Sequence, residues 1–126
     1  MAQTFDLETA RQIVDDGSGE FERWIAWFRS SGHHLQASGL QETHIVAISA
    51  AVRFSTAGCP REKIERFLVE LLDAYPGSDT DWVAVNHTGS KRIEIVPGPF
   101  TFDVRSARRR PPVVFDPYAI FQQLRE

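Results

Sequence analysis

The stretch "GCPREKIERFLVELLDAYPG", residues 58–77, decides the fold because it contains the clearest helical pattern in the chain. Pro60 suits the first helical position, where its missing N–H is harmless. Pro76 and Gly77 provide a stop signal at the other end. Between them runs an apolar stripe at helical spacing, made of Ile64, Phe67, Leu68, Leu71, Leu72 and Tyr75. The spacing predicts an amphipathic helix over residues 60–75.

Strand patterns dominate the sequence that follows this helix. "DWVAVN" (81–86) and "KRIEIV" (91–96) flank the short polar stretch "HTGS", an arrangement typical of a β-hairpin. "FTFDV" (100–104) alternates between apolar and polar residues, and "PVVF" (112–115) is a short apolar run. The sequence therefore predicts about four strands, most of them antiparallel.

Helices are predicted at both ends of the chain. "FDLETARQIVDDG" (5–17) and "GEFERWIAWFRSSG" (19–32) carry apolar residues at helical spacing, and Gly17 separates them. Asp6 can cap the first of these helices. Asp116 can cap a short C-terminal helix, with Pro117 at its first position. The ends of the chain thus predict an N-terminal helical pair and one short final helix.

The segment "THIVAISAAVRFS" (43–55) fits two structures. Val46, Ile48, Ala50, Val52 and Phe54 alternate, which favours a strand over residues 44–54. Its alanines and serines leave a helix as the alternative. As a strand, the segment could form one parallel crossover with strand 81–86 through helix 60–75, or the connection could skip a strand.

Length and composition predict one globular domain over residues 1–126. The chain has 42% hydrophobic and 25% charged residues, both ordinary for a folded protein. The predicted class is α+β, with a mostly antiparallel sheet of about four strands and helices packed on one of its faces.

The number of cysteines and the length of the apolar runs indicate which cellular compartment and which cofactors to expect. Cys59 is the only cysteine, which excludes an intrachain disulfide and a multi-cysteine zinc site and fits a reducing, cytoplasmic setting. The opening "MAQTFDLETA" lacks the pattern of a signal peptide, and no window approaches 18 apolar residues. We expect no membrane span, no metal and no cofactor.

The most biased stretch is "VRSARRRPP" (104–112), which carries Arg105, Arg108, Arg109 and Arg110. Such a cluster could bind phosphates, so a nucleic-acid-binding protein is one hypothesis. The net charge of −3 lacks the basic excess of a dedicated nucleic-acid binder, and no recognition motif accompanies the cluster. A solvated basic connection between strands is the competing interpretation.

A small enzyme is a second alternative. Cys59 lies at the predicted start of a helix, where the helix dipole can favour a thiolate. A histidine or a carboxylate would have to act beside it, and the candidates are His33, His34, His44 and His87. No catalytic motif frames any of these residues, so the sequence predicts no catalytic residue.

The function that the sequence favours is binding to another protein without catalysis, as inhibitor, immunity or adaptor proteins do. Acidic side chains cluster around the first interhelical turn, and a nearby tryptophan at an off-stripe position is expected to be partly exposed. The predicted contact residues are Asp15, Asp16, Glu20, Glu22 and Trp27. A second copy of the chain, pairing through a sheet edge, is a further candidate partner.

Overall fold

The computed structural model of the chain describes residues 4–14, 17, 19–30, 40–87, 90–98 and 112–125. The described residues contain five helices, namely α1 (Leu7–Val14), α2 (Glu20–Ser30), α3 (Glu42–Thr56), α4 (Arg61–Asp73) and α5 (Tyr118–Arg125). They also contain five short strands, namely β1 (Thr4–Phe5), β2 (Leu40–Gln41), β3 (Trp82–Asn86), β4 (Glu94–Pro97) and β5 (Val113–Phe115).

The predicted α+β class is confirmed, but the larger sheet has three described strands, somewhat fewer than the sheet of about four that the sequence predicts. The larger sheet has three described strands in the order β4-β3-β5, and β1 pairs with β2 in a separate two-stranded sheet. Both sheets are antiparallel. The predicted hairpin is present as β3 and β4, whereas the predicted strand 100–104 lies outside the described residues. Trp82, Ala84 and Phe115 join the core that the helices form.

The register of the larger sheet places two chain segments at one of its ends. β4 pairs with β3 from Trp82↔Pro97 to Val85↔Glu94, and β5 pairs with β3 from Ala84↔Phe115 to Asn86↔Val113. Because β5 is antiparallel to β3, the chain leaves β5 close to the point where it enters β3. The residues just before β3 and just after β5 are therefore neighbours.

The strand predicted over residues 44–54 is wrong, because this segment lies within helix α3. Its residues Ile45, Val46, Ala47, Ile48, Ala50, Ala51, Val52 and Phe54 are all buried. A helix buried on almost every side has no polar face, so its apolar residues also satisfy a strand-like alternation. The predicted parallel crossover through residues 44–54, 60–75 and 81–86 is wrong for the same reason.

Helix α3 can lie at the centre of the helices because its buried alanines are small. Ala47, Ala50 and Ala51 have no exposed surface, and α3 packs against α1, α2 and α4. Alanine also has the highest intrinsic preference for helix, which overrides the weaker β preference of the neighbouring valines and isoleucines. Composition and burial together therefore select the helix.

The predicted ends of the helices are largely confirmed. The Thr9 backbone N–H donates to Asp6 Oδ1 at 2.7 Å, and this hydrogen bond lowers the pKa of the Asp6 carboxyl group. The Tyr118 backbone N–H donates to Asp116 Oδ1 at 3.0 Å at the start of α5. Gly17 separates α1 from α2 with a φ of +83°, a conformation that favours glycine. Pro60 precedes α4 as its N-cap rather than occupying its first turn.

Side chains fasten helix α4 to the β3–β4 hairpin. Lys63 Nζ donates to the Ser90 carbonyl oxygen at 2.6 Å, and Arg92 Nη2 lies 3.3 Å from Glu70 Oε2. Near the start of the helix, Cys59 Sγ accepts a weak hydrogen bond from the Asn86 amide at 3.7 Å. We call these three contacts together the α4–hairpin seam. They hold β3 in place for the site described below.

Tyr75, just after α4, contacts the start of α3. Its raised pKa is expected to make the free energy of unfolding fall at alkaline pH. Its hydroxyl donates to Glu42 Oε2 at 3.2 Å. Burial, the negative charge of Glu42 and this hydrogen bond all raise the pKa of the Tyr75 phenol. The unfolded chain therefore releases this proton at lower pH than the folded chain does. The stabilising contribution is present below pH ~10 and is lost as pH rises through the higher folded pKa.

Replacing Tyr75 by phenylalanine is expected to make stability fall less steeply above pH ~10, because the group with the raised pKa is gone. Urea unfolding at a series of alkaline pH values measures the slope. Tyr118→Phe is the matched control, since the Tyr118 ring is 61% exposed and should leave the slope as in the wild type. Equal slopes for Tyr75→Phe and the wild type would contradict the assignment.

Candidate functional site

A depression in the described part of the chain lies where the chain enters β3 and leaves β5. It has a volume of about 340 Å³ and is bounded by the turn before β3 and by helix α5. Its lining includes three aspartates, Asp79, Asp81 and Asp116, and three aromatic residues, Trp82, Tyr118 and Phe121. We call it the aspartate cavity. Its volume is at the low end of the range for small-ligand sites.

The floor of the aspartate cavity is rigid because Trp82 is held on three sides. Only 4% of Trp82 is exposed, and its indole N–H donates to the Gly77 carbonyl oxygen at 3.0 Å. Tyr75 and Phe121 pack edge-on against the indole, at centroid distances of 6.2 and 6.4 Å. Edge-to-face geometry of this kind is favourable for aromatic pairs. The cavity therefore exists before any ligand enters it.

Helix α5 supplies a wall that is also fixed by hydrogen bonds. Tyr118 Oη accepts a hydrogen bond from Gln122 Nε2 at 2.7 Å, although 61% of the Tyr118 residue is exposed. The cap at Asp116 fixes the carboxylate two residues before this ring. Arg125 Nη2 reaches across to the Ser78 carbonyl oxygen at 3.3 Å. An exposed aromatic face thus stands beside an anchored carboxylate.

The aspartate cavity carries excess negative charge. Three carboxylates and one guanidinium group line it, which leaves a formal excess of two negative charges. The described ion pairs all join arginine to glutamate, and none of them includes Asp79, Asp81 or Asp116. Arg125 itself bonds to a carbonyl oxygen. A cation entering the cavity would therefore meet carboxylates that no described arginine or lysine neutralises.

The acidic residues that the sequence predicted as a contact surface are partly engaged within the chain. Glu20 accepts a hydrogen bond from Ser55 Oγ at 2.9 Å and pairs with Arg23 at 3.0 Å. Glu22 forms an ion pair with Arg11. Asp15 and Asp16 lie outside the described residues. The charge available from Glu20 and Glu22 is therefore smaller than the sequence alone implies.

The partial exposure expected for Trp27 is wrong. The residue is buried, with 9% of its surface exposed, because it packs edge-on against Trp24 and Phe28. The off-stripe position on α2 faces these aromatic neighbours instead of solvent. Trp27 therefore supports the core and offers little surface to a partner.

The residues of the enzyme hypothesis do not come together in the described part of the chain. Burial raises the pKa of the Cys59 thiol, with only a partial opposing effect from Lys63, so the neutral thiol is favoured. The described contact of its sulfur is with Asn86 and not with a histidine. His44 lies on α3 against Phe28, and His87 is exposed after β3. His33 and His34 lie outside the described residues.

Three other predictions concern the arginine cluster, a metal site and a membrane span. The arginine cluster, Arg105, Arg108, Arg109 and Arg110, lies outside the described residues. Among the residues that the structure describes, no three side chains of histidine, cysteine, aspartate or glutamate are grouped so that they could hold a metal ion. In the same residues, no helix has the length and apolar character needed to cross a membrane.

Sequence reasoning missed the aspartate cavity. The sequence pattern indicates Asp116 only as a helix cap and Asp81 only as the first residue of a predicted strand, and it assigns no role to Asp79. The available signal was the position of Asp81 directly before one strand and of Asp116 directly after another. That signal becomes useful only once β3 and β5 are known to pair in antiparallel fashion, which places both residues at one end of the sheet.

Comparisons of the chain with protein-family models, curated proteins and solved structures found no match.

Proposed function

We propose that this chain is a non-catalytic binding domain whose partner is another protein, and that it binds a basic surface of that partner at the aspartate cavity. The observation that carries the proposal is the cavity lined by three aspartates that take part in no ion pair among the described residues, together with the exposed Tyr118. Adaptor, inhibitor and immunity proteins act through contact surfaces of this kind.

Electrostatics favour a basic partner. Complementary charge steers association and selects partners more strongly than it adds affinity. The exposed ring of Tyr118 adds apolar area, and tyrosine is enriched where binding energy is concentrated. The residues predicted from the sequence as acidic contacts, Asp15, Asp16, Glu20 and Glu22, carry charge of the same sign. The chain's net charge of −3 agrees in sign.

The alternatives have less support. Phosphate groups would be repelled by the aspartates, so nucleic-acid binding through Arg105, Arg108, Arg109 and Arg110 would have to use a different surface. The enzyme alternative would need a base beside Cys59, whose pKa is raised.

A cytoplasmic location fits the single cysteine. A homodimer formed through a sheet edge stays a separate proposal, which sedimentation of the purified chain tests.

The test is affinity capture from the native host with matched variants, followed by mass spectrometry. The triple variant Asp79→Asn, Asp81→Asn, Asp116→Asn removes the charge while asparagine still caps α5. We expect a basic protein that the wild type captures at low salt and that the triple variant retains at least about tenfold less.

The control variant Glu94→Gln changes an exposed carboxylate on β4 outside the cavity lining and should capture as the wild type does. Equal capture by the wild type and the triple variant would refute the proposed surface. Recovery of nucleic acid in place of protein would favour the arginine cluster.

A further inference from the structure

The aspartate cavity combines two chemical features that together recognise one kind of cation. Its carboxylates accept hydrogen bonds, and the Tyr118 ring offers an exposed aromatic face held by Gln122. A planar guanidinium group stacks on aromatic rings and donates paired hydrogen bonds to carboxylates. An ammonium group is a compact and strongly hydrated charge, so it gains less from the ring.

The chain itself contains this combination elsewhere. The Arg61 guanidinium lies over the Trp24 ring at 5.5 Å from the centroid, while its Nε lies 3.1 Å from Glu65 Oε1. Arg11 does the same with Phe21, at 5.9 Å, and forms ion pairs with Glu8 and Glu22. In both cases one arginine uses an aromatic face and a carboxylate at once. The aspartate cavity presents the same two elements without a described arginine over the ring.

Size also limits the occupant. At about 340 Å³ the cavity can hold one long side chain with part of its backbone, whereas its negative charge excludes phosphate-bearing ligands. In the described part of the chain, the carboxylates are not grouped as ligands of a single metal ion. Several acceptors and an aromatic ring in one cavity fit an extended organic cation.

We infer that the group received by the aspartate cavity is an arginine side chain of the partner protein, stacked on Tyr118 and hydrogen-bonded to the aspartates. This inference rests on the proposed function and specifies its recognition chemistry. Asp116 and Tyr118, both fixed at the start of α5, supply the adjacent acceptor and ring. Asp79 and Asp81, from the turn before β3, supply the remaining negative charge.

The test uses the full chain, labelled with ¹⁵N, and two small probes, N-acetyl-arginine amide and N-acetyl-lysine amide. Nuclear magnetic resonance follows the Trp82 indole N–H and the backbone N–H groups of residues 78–82 and 118 during titration. We expect saturable shifts at these groups with a dissociation constant on the order of 1–10 mM for arginine. Binding of the lysine probe should be about two- to fivefold weaker.

Variants distinguish the contribution of the Tyr118 ring to probe binding from that of the aspartate charges. Tyr118→Leu keeps an apolar side chain at this exposed position, and it should abolish the preference for arginine over lysine. Tyr118→Phe keeps the ring and should keep the preference. Asp79→Asn with Asp81→Asn should weaken both probes to a similar degree, whereas Glu94→Gln should change neither.

The outcomes distinguish this inference from the proposed function. Equal affinity for both probes, an arginine preference that survives Tyr118→Leu, or no saturable shift up to roughly 50 mM would overturn the arginine assignment. Capture of a basic partner that depends on the three aspartates would still support the proposed function in that case. If the aspartates do not affect capture either, the proposed function fails as well.

Discussion

Replacing Phe54 by alanine is expected to lower the free energy of unfolding by about 3–5 kcal/mol, the range for removing a buried phenylalanine ring. Phe54 has no exposed surface, and its ring lies edge-on to Phe67 at a centroid distance of 5.7 Å. It therefore joins α3 to α4, the two longest described helices. The loss includes both the transfer of the ring from water and the space left behind.

Urea unfolding followed by circular dichroism measures this effect. A domain of this size is commonly stable by 5–15 kcal/mol, so Phe54→Ala approaches the limit of folding. Phe54→Leu, with an expected loss of about 1.5 kcal/mol, keeps the measurement possible if the alanine variant does not fold. Val69→Ala is the control, because 44% of Val69 is exposed on α4 and its loss should stay within about 0.5 kcal/mol. Similar losses for Phe54→Ala and Val69→Ala would contradict the packing of α3 on α4.

Replacing Trp82 by alanine is expected to cost about 3–5 kcal/mol and to release helix α5 from the rest of the fold. Trp82 packs between Tyr75 and Phe121, and so it joins the segment that follows α4 to helix α5 through β3. Helix α5 has eight residues, too few to be stable in water without packing. Its amide protons should exchange much faster once its anchor is removed.

Trp82→Phe separates packing from hydrogen bonding at the same position. The phenyl ring fills most of the space, but the Gly77 carbonyl oxygen loses the indole N–H that it accepts at 3.0 Å. We expect a loss of about 1–3 kcal/mol and continued protection of α5 in hydrogen exchange. If α5 stays protected in Trp82→Ala as well, the helix is held by other contacts and the role assigned to Trp82 is wrong.

The sequence allowed the elements with one clear polar face to be predicted. Helix α4 alternates its buried Ile64, Phe67 and Leu68 with exposed charges, so its period is visible. The β3–β4 hairpin and the caps at Asp6 and Asp116 carry local signals that do not depend on the rest of the chain. Physical rules that act over a few residues were sufficient in each of these cases.

Helix α3 and the aspartate cavity depend on information that is not local. The sides of α3 are covered by α1, α2 and α4, so its sequence lacks the contrast on which periodicity relies. The cavity requires Asp81 and Asp116, 35 positions apart in sequence, to meet through the pairing of β3 with β5. The partial exposure predicted for Trp27 was wrong for a related reason. Its contacts with Trp24 and Phe28 make the apolar face of α2 wider than the helical stripe alone predicts.

The α4–hairpin seam contains the only sulfhydryl group of the chain, and this makes the seam observable by chemistry. Cys59 is half-buried beside Asn86, and burial keeps it in the protonated state that reacts slowly with disulfide reagents. Separation of the helix from the hairpin would expose the thiol further and should raise the rate of its modification. A faster labelling rate would therefore report a loosened contact without any engineered residue.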